Sequence, residues 1–284
     1  MAFSCVTYNI QYGIGMDGRY DLERIGQEVK GADVIALQEV SRNNPQNGGA
    51  DMVAGLCELF PDYFCAFGAP FQIDMGSGME NGRAVSRFFE FGNMILSRTP
   101  IIATRNFLLP RSRSVSVLNL QRGALEAIVD TPAGHVRFHS VHLDHTSAAE
   151  RLAQIRWLMR TALEHRLDGG AATGLAVNGF PELPLPEDFV LMGDFNMDPE
   201  SPEYVALAGP LDAEYGRQVN ARFACDVSVT TDGAASWFDP AGKLQPRRLD
   251  YCFASAGIAH RFGNARVDST ATGSDHRPVW VEMA

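Results

Sequence analysis

The sequence predicts one α/β domain spanning residues 1–284, with helices interleaved among strands and an antiparallel middle that argues against a purely doubly wound sheet. Three observations lead there. Short apolar runs alternate with segments whose apolar residues recur at helical spacing. Between residues 92 and 143, four strand-like runs follow one another with no helical pattern between them. No repeat, low-complexity tract or linker divides the chain, and 284 residues with 45% hydrophobic and 20% charged side chains can bury a substantial core.

The elements read as follows. "FSCVTY" (3–8) is a strand. "YDLERIGQEVK" is a helix with Asp21 at its N-cap and Leu22, Ile25 and Val29 on one face. "DVIALQEV" (33–40) is a compact buried strand, and "DMVAGLCELF" repeats the helical pattern through Met52, Leu56 and Leu59. "GNMILSR" (92–98), "SVSVLNL" (114–120), "GALEAIV" (123–129) and "HVRFHSVHL" (135–143) are strand-like, and "DTPAG" (130–134) carries hairpin-turn chemistry. "SAAERLAQIRWLMRTALEHRL" opens with Ser147 and Glu150 in capping-box spacing and is a long amphipathic helix. "DFVLMGDFN" is another buried strand, followed by a short helix with Ser201 at the N-cap and Pro202 at the first position. "RLDYCF" and "RPVWVE" are the last strands. Residues 68–91 and 168–187, rich in glycine or proline, are loops that can shape a site.

Lys+Arg minus Asp+Glu is 24 − 34 = −10, which argues against a dedicated non-specific duplex binder, since basic residues supply most of that affinity. The five scattered cysteines include no Cys-x-x-Cys, so neither a disulfide framework nor a zinc cage is expected. The start "MAFSCVTYNI" lacks a basic n-region, and no run approaches 18 apolar residues. The expectation is a cytoplasmic protein with no membrane insertion.

What needs explaining is the polar residues beside apolar runs. Asn9 ends the first strand, Glu39 sits in "LQEV", and His142 ends "FHSVHL". Asp194 and Asn196 end "VLMGDFN", Asp250 interrupts "RLDYCF", and Asp275-His276 precede the final strand. Each has a plainer reading alone: an Asx-turn for "DFN", a hydrogen-bonded core histidine for His142, a loop acid for Glu39, a partner of Arg247 or Arg248 for Asp250. Together they are harder to excuse, because burying several carboxylates is expensive unless a cation neutralises them. Oxygen donors without thiolates suit Mg²⁺ or Mn²⁺ better than zinc.

"TYNIQYG", "VIALQEV", "GNMILSRTPI", "FHSVHLDH", "VLMGDFNMDPESPEY", "RRLDYCF" and "GSDHRPV" resemble, in this order, the signature blocks of the endonuclease/exonuclease/phosphatase (DNase I-like) superfamily. The resemblance runs from residue 7 to residue 279. It implies a four-layer α/β/β/α sandwich of two mixed sheets flanked by helices, and Mg²⁺- or Mn²⁺-dependent hydrolysis of a phosphoester by in-line attack of water. By matching positions it implies that Glu39, Asn9 and Asp275 lie at the metal, with Glu39 its main carboxylate ligand. Asp194 would orient or deprotonate the water, Asn196 would bind the phosphate, and Asp250 would hold His276 in one tautomer. His142 would donate to the phosphate or the leaving oxygen.

Departures from the pattern narrow the branch. The apurinic-endonuclease branch usually has Asp where Gln11 stands and Tyr where His142 stands. The DNase I branch pairs this histidine with a Glu, for which Glu90 is a positional candidate. No long hydrophobic hairpin supports a sphingomyelinase-type reading, and "HLDHTSAAERLAQ" adds Asp144, Arg151 and Gln154. The expected activity is a phosphodiesterase acting on a phosphoester substrate whose specificity lies in 68–91, 168–187 and 212–246. The alternatives are a nuclease using Arg83, Arg87, Arg98, Arg111, Arg113 and Arg122 to track DNA or RNA, a phospholipid headgroup hydrolase, and a catalytically silent phosphate- or protein-binding module.

Overall fold

Side-chain alternation along the first strands sets the layers. In the computed structural model, which describes residues 2–284, β1 (Phe3–Asn9) turns Cys5 to one side and Val6 and Tyr8 to the other. Helix α1 (Leu22–Glu28), capped by the Asp21 carboxylate, leads into β2 (Val34–Arg42), where Val34 and Ala36 oppose Ile35 and Leu37 in the same way. Helix α2 (Met52–Leu59) then covers the Ile35–Leu37 side with Met52 and Leu56, while Leu59, expected on that face, is left partly exposed. The strands β3 (Phe64–Asp74), β4 (Gly78–Glu80), β5 (Arg83–Val85) and β6 (Phe88–Ser97) complete the first half.

The second half repeats the logic. It holds β7 (Ile101–Leu108), β8 (Gly123–Thr131), β9 (Gly134–His142), α3 (Ala148–Leu163), the one-turn α4 (His165–Asp168), β10 (Phe189–Asp194) and α5 (Pro202–Ala208). Three two-residue strands follow, β11 (Leu211–Asp212), β12 (Gly216–Arg217) and β13 (Cys225–Asp226), and then β14 (Asp250–Ala254), β15 (Phe262–Val267) and β16 (Val279–Met283). One six-stranded sheet runs β15-β16-β1-β2-β6-β3 and the other β13-β14-β10-β9-β8-β7, and both mix parallel and antiparallel pairs.

Three apolar layers glue this together. One, with Val34, Ala36, Ile95, Phe138, Val190 and Met192, lies between the sheets; a second joins the first sheet to α1 and α2, and a third joins the other sheet to α3 and α5. That is the four-layer α/β/β/α sandwich. Strands such as β2 and β10 read as continuous apolar runs because both their faces are covered. No helix among the described residues is long and apolar enough to cross a membrane.

Two readings are corrected. Residues 68–91 are not a loop: β3 runs on to Asp74 and β6 starts at Phe88, pairing Phe71 with Phe91 and Ile73 with Phe89, with the β4/β5 hairpin at the tip. Conversely, "SVSVLNL" is not a strand. Ile101–Leu108, not among the expected strands, forms β7 and pairs with β8 from Ile101↔Val129 to Leu108↔Gly123, so the β8 edge is taken and residues 109–122 pair with no strand. Val115, Val117 and Leu118 are 86%, 56% and 70% exposed there. Alternation without a partner edge makes no strand.

Two irregularities bear on the site. β2 bulges between Gln38 and Val40, where Val40 pairs with Gly92, and β3 bulges between Gly68 and Phe71. Gly92 sits where they meet, and a Cβ there would fall 1.9 Å from the Gly68 carbonyl oxygen. Gly92→Ala should therefore force the β3–β6 backbones apart and cost about 2–3 kcal/mol. Urea denaturation compared with the parent chain checks this.

Candidate active site at the strand ends

Strand direction and register bring the polar residues together. Parallel strands end on the same side of a sheet. β1 and β2 are parallel with Asn9 opposite Gln38, which places Asn9 and Glu39 at one end of the first sheet. β9 and β10 are parallel with His142 opposite Asp194, and antiparallel β14 begins with Asp250 opposite Asp194. β16 runs antiparallel to β1, so the turn before it delivers Asp275 and His276 to that end too.

The convergence centres on one atom, Asp194 Oδ2. Asn9 Nδ2 lies 3.1 Å from it, Asn196 Nδ2 3.2 Å, His142 Nε2 3.4 Å and His276 Nε2 3.8 Å. Asn9 Nδ2 also lies 3.3 Å from Glu39 Oε1. The Asx-turn reading of "DFN" holds as well, since Asp194 Oδ1 accepts from the Asn196 amide at 2.9 Å. That turn lets Asn196 adopt a left-handed backbone (φ 51) and aim its amide back at Asp194 and the Leu143 carbonyl. Glu39, at the β2 bulge, has φ 62, a strained value for a non-glycine residue of the kind that clusters at functional sites.

Behind this group His276 Nδ1 donates to Asp250 Oδ2 at 2.8 Å, and Ser236 Oγ donates to the same oxygen at 2.7 Å while accepting from the Leu249 and Asp250 amides. Asp250 therefore serves the imidazole; Arg247 and Arg248 pair instead with Asp198 and Asp226. Asp275 and His276, delivered by the bend before β16, point to different partners. His276 faces Asp194, whereas Asp275 Oδ2 accepts from the Trp237 indole at 3.0 Å.

Burial sets the protonation states. It lifts Glu39 to about 7, with Arg122 pulling it down and Asp275 pushing it up, and lifts Asp194 to about 6. For His276 burial acts downward, but Asp250 and Asp194 outweigh it and raise the imidazole to about 10, so it is an imidazolium. His142 is held well below 6.5 by burial and then by the charge of Arg122, and it is neutral.

Asp194, Asp250 and His276 lie close enough, within 4.8 Å, to suggest a metal trio. Both ring nitrogens of His276 are better accounted for as cationic donors, one to Asp250 and the other facing Asp194. Glu39, Asp275 and Asn9 each accept a hydrogen bond, at 3.3, 3.0 and 3.1 Å, and with Asp194 keep oxygen lone pairs that a cation could take.

Several residues fall into other roles. Glu90 does not reach His142; it pairs with Arg42 at 2.9 Å and accepts from Gln72, on the outer face of β6. Asp144, Arg151 and Gln154 brace the loop after His142: Asp144 accepts from the Thr146 and Ser147 amides, Gln154 accepts from the Asp144 amide, and Arg151 ties to Glu203. Of the six arginines, Arg87 pairs with Glu80, Arg98 with Tyr63 and Arg111 with Asn119. Arg122 alone stands at the site by these contacts. It is buried, its Nη1 lies 3.0 and 3.1 Å from the His142 nitrogens, and its Nη2 lies 2.8 Å from His145 Nδ1. It makes no ion pair with a carboxylate among the described residues, and its Nε has no partner. Nothing in the spacing marks Ser236 or Trp237, which lie in the stretch 212–246 that carries no motif.

Comparison with known proteins agrees with this picture. Residues 6–276 match the profile of the endonuclease/exonuclease/phosphatase family. No curated protein matches. Among solved structures, the family protein from Beutenbergia cavernae DSM 12333 superposes with a TM-score of 0.65 at 23% identity, over 99% of this chain and 71% of that one. The one from Bacteroides vulgatus gives 0.64 at 17% over 100% and 99%. A mannosyl-6-phosphatase from Bacteroides thetaiotaomicron VPI-5482 gives 0.59 at 18% over 99% of both chains.

Because the folded state binds the His276 proton more tightly than an ordinary histidine does, that interaction supports stability fully below pH 6.5 and loses it as pH rises towards about 10. With EDTA present, the parent chain should lose stability over that window. Asp250→Asn should flatten the loss, and the His276 imidazole shifts followed by NMR should titrate lower.

Proposed function

The chain belongs to the endonuclease/exonuclease/phosphatase family, whose members are generally phosphoester hydrolases, and we propose that it is a Mg²⁺- or Mn²⁺-dependent phosphodiesterase cleaving a P–O bond by in-line attack of water. The observation that carries this reading is the meeting of Asn9, His142, Asn196 and His276 on one carboxylate oxygen of Asp194, beside a buried guanidinium with no carboxylate partner.

The donor set fits a hard cation. Glu39 and Asp194 are both raised by burial, which means their negative charge is under-compensated where they stand. Glu39, Asn9 and Asp275 would hold the metal, all through oxygen. When bound, it polarises a phosphoryl oxygen and neutralises charge that develops during cleavage.

The chain's own groups would do the rest. Asp194, raised to about 6, is a better proton acceptor than an ordinary aspartate yet is ionised at pH 7, which suits it to orient and deprotonate water. His276, fixed by Asp250 and Ser236, presents Nε2–H as a charged donor to the phosphoryl group. Asn196 and Arg122 supply further donors, and neutral His142 contacts the phosphate or the leaving oxygen. Asp250 would position and would not itself touch substrate.

Four carboxylates (Glu39, Asp194, Asp250, Asp275) face two fixed cations (Arg122, His276). A bound divalent cation would bring these into balance, and a singly charged diester disturbs that balance less than a doubly charged monoester. A nuclease is the second reading, and both the net charge of −10 and the engagement of Arg87, Arg98 and Arg111 with neighbouring side chains weigh against it. The mannosyl-6-phosphatase on the same fold is compatible with a small phosphoester.

Glu39→Ala and His276→Ala should each lower kcat/KM on bis-p-nitrophenyl phosphate by roughly a thousandfold or more. Near-parental turnover by either variant, with Mg²⁺ or Mn²⁺ supplied, would overturn the proposal. EDTA should abolish turnover and added metal restore it. Glu39→Ala should also lose the Mg²⁺ binding heat seen in the parent. Cleavage of labelled single- or double-stranded DNA at low salt would favour the nuclease reading.

A further inference from the structure

The β3/β6 ribbon reaches past the other sheet and over the site. Asn93 Nδ2 donates to the Gly123 carbonyl, 2.9 Å away at the first residue of β8, so everything in β6 before Asn93 lies beyond that strand's end. Residues two apart on a strand share a face. Asn93 and Ile95 face the inter-sheet layer, so Phe91 and Phe89 do too, and Phe71, paired with Phe91, shares that face. Phe88, Glu90 and Met94 face the other way, Glu90 towards Arg42 and Met94 into the helix-covered layer.

The inner face is a continuous run of rings that begins at the catalytic group. Phe91 lies 6.2 Å from His142 and 5.9 Å from Tyr12, Phe89 is 6.4 Å from Phe91, and Phe71 is 5.6 Å from Phe89. These spacings are ordinary for edge-to-face or tilted aromatic pairs. Phe91 is buried, whereas Tyr12, Phe89 and Phe71 keep part of their surface open. A run of this kind inside a core would be closed on every side. Here, no sheet strand lies opposite it, because β8 has ended.

We infer that the inner face of the β3/β6 ribbon is a subsite for a planar ring, aryl or nucleobase, carried by the phosphoester whose phosphorus sits at Asp194 and His142. The inference rests on the reading of the site as phosphoester-binding and adds what the ester carries. A ring bonded through oxygen to a phosphorus at His142 would lie beside Phe91 and point along the run towards Phe89 and Phe71. Stacking and edge contacts there are tolerant of ring identity and exclude a small alkyl group only by failing to hold it.

Calorimetry with Mg²⁺ separates this from turnover. Phenylphosphonate is compared with methylphosphonate, and thymidine 5′-phosphate with 2-deoxyribose 5-phosphate, each pair alike in charge and differing in the ring. In the parent chain the ring-bearing member should bind about tenfold tighter. Phe71→Leu/Phe89→Leu should erase that gap, while Phe88→Leu on the outer face should preserve it. Circular dichroism and the Tm check that the double variant folds, and either single variant, with a reduced gap, serves where it does not. A gap confined to one pair supports the inference and says whether an aryl group or a nucleoside is carried. Equal affinities within both pairs, or a gap that survives in the inner-face variants, overturn it. Absent hydrolysis would instead count against the phosphodiesterase reading, leaving the ring preference measurable.

Discussion

Everything at this site depends on strands that finish together. Two parallel pairs, β1 with β2 and β9 with β10, end on one side of the sandwich, and antiparallel β14 and β16 start there. A polar residue placed last on a parallel strand or just before an antiparallel one is therefore delivered to the same rim, whatever its sequence distance. Asn9 and Asp194 are 185 residues apart and hydrogen-bonded at 3.1 Å. The apolar layers hold this geometry rigid, because each of these strands is packed on both faces.

Register alone does not aim every side chain, and the chain bends its backbone where it must. Alternation would send Gln38 and Glu39 to opposite faces. Gln38 indeed points inward, donating to Ser140 Oγ at 2.9 Å across the inter-sheet layer. Glu39 escapes the alternation through the β2 bulge and its positive φ, which turn its carboxylate towards Asn9. Gly92, which pairs with Val40 beside this bulge, makes room on its other side for the second bulge, at Gly68–Phe71 of β3. A bulge placed beside a carboxylate ligand candidate is a local cost carried by a rigid scaffold, as expected when strain serves positioning.

The legible part of the sequence was the part written locally. Asn9, His142, Asp194 and Asp250 stood out because each interrupts or ends a strongly apolar run, and such runs mark strands buried on both faces. The caps at Asp21, Ser147 and Ser201 were legible for the same reason, each being a side chain bonded to an amide three residues on. What was hidden depends on distant partners. β7 looked unremarkable because its pairing with β8 spans the 109–122 connection, and "SVSVLNL" looked like a strand because alternation does not report whether an edge is free. Glu90 was a plausible companion for His142 until strand parity put it on the opposite face of β6. Ser236 and Trp237 meet Asp250 and Asp275 only through a long irregular stretch, which no periodicity describes.

Charge completes the account. Burial raises Glu39 and Asp194, yet His276 is driven to an imidazolium and His142 is kept neutral, two histidines a few ångströms from one carboxylate oxygen with opposite protonation. The difference follows from what stands behind each ring: Asp250 behind His276, Arg122 beside His142. A charged donor and a neutral imidazole on the same oxygen give the site two chemically distinct hands without any difference in residue type. Arg122 does double service in this scheme, since its charge adds to burial in keeping His142 neutral and also tempers Glu39, while it makes no direct ion pair of its own among the described residues. Under the proposed reading an anionic ester would be that ion-pair partner, and binding it would also balance the charge beside Arg122.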